Sequence, residues 1–93
     1  MTKGNVPEGR VSIIQKQFRE DLQGWVKHDR KTALKVLDLM EDVLRDPFVG
    51  KGKPEPLKQL PGNVWSRRIT QEDRLVYRVY GKTVDFLQCK YHY

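Results

Sequence analysis

The sequence predicts an α+β fold in which two N-terminal antiparallel helices pack on one face of a small, mainly antiparallel β-sheet. Three observations lead there. Apolar residues recur at helical spacing over residues 14–26 and again over 33–44. β-rich runs occupy residues 64–91, and a segment dense in proline and glycine, residues 47–63, separates the two regimes. Helices gathered in one stretch and strands in another give stacked layers rather than an alternating parallel sheet.

Residues 1–10 are polar and broken by Gly4, Pro7 and Gly9, so they read as a flexible tail, with one domain over residues 11–93. Val11, Ile13 and Ile14 make a short β-like run. Ile14, Phe18, Leu22, Trp25 and Val26 then fall near helical period and predict a helix over about Gln15–Lys27. Asp29 is the expected N-cap of a second helix, with Ala33, Val36, Leu37, Met40, Val43 and Leu44 on its core face and Pro47 after its end. Both helices read as scaffold without chemistry. Residues 47–63 read as an irregular loop. Three strands are expected at Val64–Thr70, Arg74–Tyr80 and Thr83–Tyr91, the last two joined by a tight turn at Gly81-Lys82.

A chain of 93 residues allows one domain. No apolar run approaches the roughly 20 residues a bilayer requires, and no positively charged, then apolar leader opens the chain, so a soluble cytoplasmic protein is expected. The single cysteine, Cys89, excludes an internal disulfide and a thiolate metal cluster. The formal net charge is +6, and it is unevenly placed. Residues 1–46 hold nine Lys and Arg against eight Asp and Glu, whereas residues 47–93 hold nine against four. A basic C-terminal half attracts polyanions through Coulomb forces and counterion release; the plainer reading is a solvated face that keeps the protein soluble.

Within that half, Glu55 stands between Pro54 and Pro56, which stiffen the backbone on both sides, among Lys51, Lys53 and Lys58. A surface carboxylate paired with lysine is the plainer reading. Strand alternation sends Arg67 and Arg68 to opposite faces and sets Arg74 and Arg78 opposite Leu75, Tyr77 and Val79. The short link between the first two strands brings Arg68 near Arg74, and two guanidinium groups that close call for an anion, phosphate or a carboxylate such as Glu55 or Asp73. His92 sits between Tyr91 and Tyr93, which could stack on unpaired bases. A carboxylate base, two arginines around a phosphorane and an imidazole acid are what cleavage of RNA through its own 2′-hydroxyl needs. No metal is needed for that chemistry, and two histidines without spaced carboxylate or thiolate partners make a poor metal site.

Four motifs in order carry a resemblance: Gly50-Lys51-Gly52-Lys53-Pro54-Glu55-Pro56-Leu57-Lys58, Trp65-Ser66-Arg67-Arg68-Ile69-Thr70, Arg74-Leu75-Val76-Tyr77 and Tyr91-His92-Tyr93. They are similar to those of the YoeB/Txe toxins of the RelE-like superfamily, closely over residues 47–93 and in pattern only before that. The resemblance implies a RelE-like microbial ribonuclease architecture and a type II toxin–antitoxin toxin that cuts mRNA on the 70S ribosome, in the A site, without cofactor. It implies neutralisation by a YefM/Axe-type antitoxin, a homodimer, no membrane partner, and operator DNA only through the antitoxin complex. Carried over, the base falls on Glu55, the phosphate-binding arginines on Arg68 and Arg74, the acid on His92 and the functional terminal tyrosine on Tyr93. Lys58 matches a basic active-site position, and Lys53, Arg67 and Tyr91 are expected to touch substrate. The chain departs from the family at Asp73, where histidine is usual, and in its longer first ten residues. A non-catalytic basic module that binds RNA or the ribosome is the alternative, with no evident use for Glu55.

Overall fold

A computed structural model describes residues 9–92. Its elements are β1 (Val11–Ile14), α1 (Lys16–His28), α2 (Arg30–Arg45), β2 (Glu55–Pro56), β3 (Val64–Arg68), β4 (Arg74–Tyr80) and β5 (Thr83–Tyr91). The expected tail lies outside the described residues except for Gly9 and Arg10. Arg10 is anchored: its Nη1 donates to the carbonyls of Leu44 at 2.8 Å and Arg45 at 3.0 Å, satisfying oxygens that the end of α2 leaves without helical partners.

The helices form where their apolar spacing dictates, and their starts are fixed in different ways. Gln15 offers α1 no side-chain cap, and its amide bonds Phe86 O at 3.0 Å, so the sheet itself sets where α1 begins. Asp29 caps α2 as expected, accepting from the Thr32 amide at 3.1 Å and its hydroxyl at 2.8 Å. These bonds hold the Asp29 carboxyl below its ordinary range. One correction concerns the core face of α2. Leu37 is 45% exposed and Leu39, at 2%, takes its place beside Ala33, Val36 and Val43. Each apolar side chain fully buried there contributes on the order of 1.5–3 kcal/mol.

The five strands form one sheet in the order β1-β5-β4-β3-β2. β1 runs parallel to β5, with Val11 opposite Thr83, and the other pairings are antiparallel. Phe18, Val36, Leu39 and Val43 of the helices pack on Leu75, Tyr77, Val79 and Phe86, which defines the helix-covered face. The opposite face carries a smaller cluster, Leu57, Val64 and Val76, with Leu60, Leu87 and Tyr91 against it. Two strand expectations change. The loop over 47–63 contains the two-residue strand β2, and β3 stops at Arg68, because the amides of Ile69 and Thr70 both turn back onto Asp73 O. Among the described residues no helix is long and apolar enough to cross a membrane.

Candidate functional site

The site begins with a buried charge. Arg67, expected to touch substrate, is 0% exposed, and that expectation is corrected. Its guanidinium pairs with Asp42 and donates to the carbonyls of Asp46 at 2.6 Å, Lys51 at 3.0 Å and Val49 at 3.4 Å, while Nε donates to the Tyr77 hydroxyl at 3.2 Å. A buried cation is tolerable only with its donors satisfied in this way. The Arg45 guanidinium first, then the Lys51 amide and Arg67, hold the Asp42 carboxyl well below the usual carboxylate range. The Tyr77 hydroxyl, pushed up by burial, donates to Pro47 O at 2.6 Å. Together these bonds fasten the loop after α2 to the sheet. Gly50 is required there: at φ +141° its backbone lies so close that a Cβ would sit 2.1 Å from Asp42 Oδ2.

The fastened loop delivers the next residues. Gly52 O accepts from the Arg68 amide at 2.7 Å. Lys53 then adopts the left-handed region at φ 53°, a conformation costing on the order of 1–3 kcal/mol for a side-chain-bearing residue. Two residues later Glu55 enters β2, where it pairs with Ser66. Because paired residues share a face and alternate residues return to it, Glu55, Ser66 and Arg68 lie on the side away from the helices. Arg68 pairs with Arg74 and Arg74 with Tyr91, a cross-strand row of two guanidiniums and a phenol. β2 and β5 are separated by three strand spacings, about 14 Å at the backbone.

Two recesses each include one arginine of that row. One of about 430 Å³ is lined by Arg68, Lys51, Gly52 and Lys53 with Lys35, Asp38 and Leu39 of α2. The other, about 390 Å³, is lined by Arg74, His92, Gln71 and Glu72. Arg74 is itself largely buried, with Nη1 reaching the carbonyls of Thr70 and Gln71 at 3.4 Å. His92 Nε2 lies 2.9 Å from Asp73 Oδ1. Lys58 is exposed after β2 and lines neither recess. Tyr93 lies outside the described residues. Of the expected site residues, then, Glu55, Arg68, Arg74 and Tyr91 share one face, Lys53 and His92 line the adjoining recesses, and Arg67 is withdrawn into the core.

Two contributions were not read from the sequence. Lys35 brings α2 to the first recess, and α1 holds the strand that leads to His92. The register of β4 and β5 slips between Arg74 and Val76, and at that irregularity Cys89 finds partners on α1: its amide donates to Asp21 Oδ2 at 3.0 Å and its carbonyl accepts from Trp25 Nε1 at 2.9 Å. An acidic residue and a tryptophan on the inner face of α1 were the available signal. Burial first, with Asp21 adding, pushes the Cys89 thiol up to about 12, which removes it as a nucleophile. Among the described residues no three His, Cys, Asp or Glu side chains gather as a metal site requires.

Comparison with known proteins gives one answer. A model of the YoeB-like toxins of bacterial type II toxin–antitoxin systems matches residues 14–93. The chain is 46% identical over 81 residues to a YoeB toxin of Escherichia coli, covering 87% of this chain and 96% of that one. It superposes on a YoeB dimer structure from Staphylococcus aureus with a TM-score of 0.81 at 37% identity, covering 90% of this chain and 98% of that one. It also matches the toxin in a heterotetrameric YoeB–YefM complex from the same organism, with a TM-score of 0.77 at 38% identity, over 90% and 99% of the two chains.

Proposed function

The chain belongs to the YoeB-like toxins of type II toxin–antitoxin systems, and from that premise we propose that it is a ribosome-dependent endoribonuclease that cuts mRNA in the ribosomal A site and so arrests translation. The observation that carries the reading is the row Arg68–Arg74–Tyr91 with Glu55 on the same face and His92 lining the recess of Arg74. In the proposed reaction Glu55 takes the 2′-hydroxyl proton, the O2′–P bond forms, and the P–O5′ bond breaks as His92 protonates O5′. Arg68 and Arg74 stabilise the phosphorane, whose charge needs preorganised donors more than it needs covalent help. Tyr91 offers a face for base stacking, Lys53 and Lys58 hold flanking phosphates, and Tyr93 completes the set as the family's terminal tyrosine.

The partners follow from the family. A YefM/Axe-type antitoxin is the proposed inhibitor, and a homodimer the proposed form of the free toxin; the staphylococcal relatives occur in such a complex and as such a dimer. The cytoplasm is where both mRNA and antitoxin would be met. The test is purified protein with ribosomes programmed with mRNA. The expected products are a 2′,3′-cyclic or 3′-phosphate and a 5′-hydroxyl, and a 2′-deoxy nucleotide at the scissile position abolishes the cut. Cleavage of the deoxy substrate overturns the mechanism. Translation arrest that survives both Glu55→Gln and His92→Gln favours the non-catalytic basic module instead.

A further inference from the structure

We infer that Asp73 is a positioning residue for the acid: its carboxylate holds Nε2 of His92, so that Nδ1 is the nitrogen presented to the leaving 5′-oxygen. The inference rests on the ribonuclease reading above and deepens it.

The carboxylate is built into the fold before it meets the ring. Asp73 is 8% exposed. Its Oδ2 accepts from the Thr70 hydroxyl at 3.0 Å, and that hydroxyl accepts in turn from the amides of Glu72 at 3.1 Å and Asp73 at 3.0 Å. Asp73 O meanwhile accepts from the amides of Ile69 at 2.9 Å and Thr70 at 3.3 Å. The turn between β3 and β4 is thus closed by hydrogen bonds on both the side chain and the backbone of one residue. What remains is Oδ1, and it lies 2.9 Å from His92 Nε2. His92 needs such a tether, because the last ladder pair of β5 is Arg74 with Tyr91 and the ring beyond it is 62% exposed. An untethered side chain at a strand end would spend its time among several rotamers, and ordering it would fall on the reaction itself.

The chemistry then selects the nitrogen. A carboxylate accepts and does not donate, so the hydrogen on Nε2 stays with the ring. The imidazolium carries a second proton on Nδ1, and that is the one delivered to O5′ as P–O5′ breaks. The neutral ring left behind keeps its hydrogen on Nε2, the tautomer that Asp73 already holds, so no rearrangement follows the transfer.

The test compares two substrates on the ribosome under single turnover: ordinary mRNA, and mRNA with a bridging sulfur in place of O5′ at the cut. A thiolate leaves without protonation, so a defect confined to acid delivery disappears on the sulfur substrate. Asp73→Ala is expected to cut ordinary mRNA roughly 10- to 100-fold more slowly, to bind programmed ribosomes within about twofold of wild type, and to cut the sulfur substrate at the wild-type rate. Asp73→Asn, which keeps an oxygen for Thr70, is expected to show the same pattern, and Asp73→Glu to recover part of the rate. Equal slowing on both substrates, in variants whose unfolding midpoints match wild type, reduces Asp73 to a structural part and overturns the inference, as does an undiminished rate on ordinary mRNA. His92→Ala separates the premise from the inference: if the sulfur substrate does not rescue it, His92 is not the acid and the inference falls with it, while cutting of ordinary mRNA by the wild type still upholds the ribonuclease reading.

Discussion

Arg67 and Arg68 are consecutive in β3, yet one lies under the sheet with five hydrogen bonds to the protein and the other is exposed beside a recess of about 430 Å³. The alternation of a strand is enough to separate them. Beneath the sheet, Arg67 finds Asp42, Tyr77 and the carbonyls of the 46–51 loop, so its charge is answered from within. On the other face, Arg68 is exposed and stands opposite Arg74 in the ladder. The pair teaches that the same side chain is a buried anchor or an exposed cation according to which face it enters, and that the anchor fixes the backbone beside the other. The Arg67 cluster fastens the loop whose Gly52 O holds the Arg68 amide and whose continuation presents Glu55.

The contrast can be broken from the inside first. Arg67→Met removes one partner of a buried ion pair and is expected to cost about 3–5 kcal/mol, read from the urea midpoint. That is a large share of the roughly 5–15 kcal/mol stability of a small domain. Gly50→Ala comes next, at about 1–3 kcal/mol, because its Cβ would drive into Asp42 Oδ2 at φ +141°; the same titration reads it. Asp42 sharpens the comparison through pH. Its carboxyl is held below the ordinary range, so its contribution is complete above about pH 4 and is lost as pH falls toward its depressed folded value. Unfolding midpoints between about pH 5 and pH 2 are expected to fall more steeply in wild type than in Asp42→Asn. Arg68→Gln has the smallest effect on folding, within about 0.5 kcal/mol, while mRNA cutting on ribosomes is expected to fall roughly 100- to 1,000-fold. A stability loss at Arg68 comparable with that at Arg67 would erase the distinction.

Local signals in the sequence carried much of this. Asp29 before Ala33 and Val36 gave the start of α2 because a cap and an amphipathic period act within a few residues. The three later strands came from alternation and the Gly81-Lys82 turn. What stayed hidden depends on distant partners. Leu37 and Leu39 flank the same helical stripe, and only how α2 packs into the core decides that Leu39 is buried. β2 is only Glu55 and Pro56, preceded by Pro54 and invisible without β3 to pair with, and the parallel β1–β5 pairing leaves no turn to announce it. At the site, the resemblance named Glu55, Arg68, Arg74 and His92, but Arg67 appeared in the same motif, and only the position of Asp42, far back in the chain on α2, shows which arginine turned inward. The Asp73–His92 contact was likewise unreadable, since it depends on where the end of β5 meets the turn before β4.

The sheet order has a consequence for how the protein comes into being. β5 follows every other element in the chain but lies between β1 and β4, and α1 grips it at Cys89. Until residues 83–91 are synthesised, β1 has no strand to join and the inner face of α1 has no strand to grip, so closure waits on contacts of long sequence separation. A nascent chain, or one clipped ahead of β5, is therefore left without both its assembled sheet and the His92 imidazole.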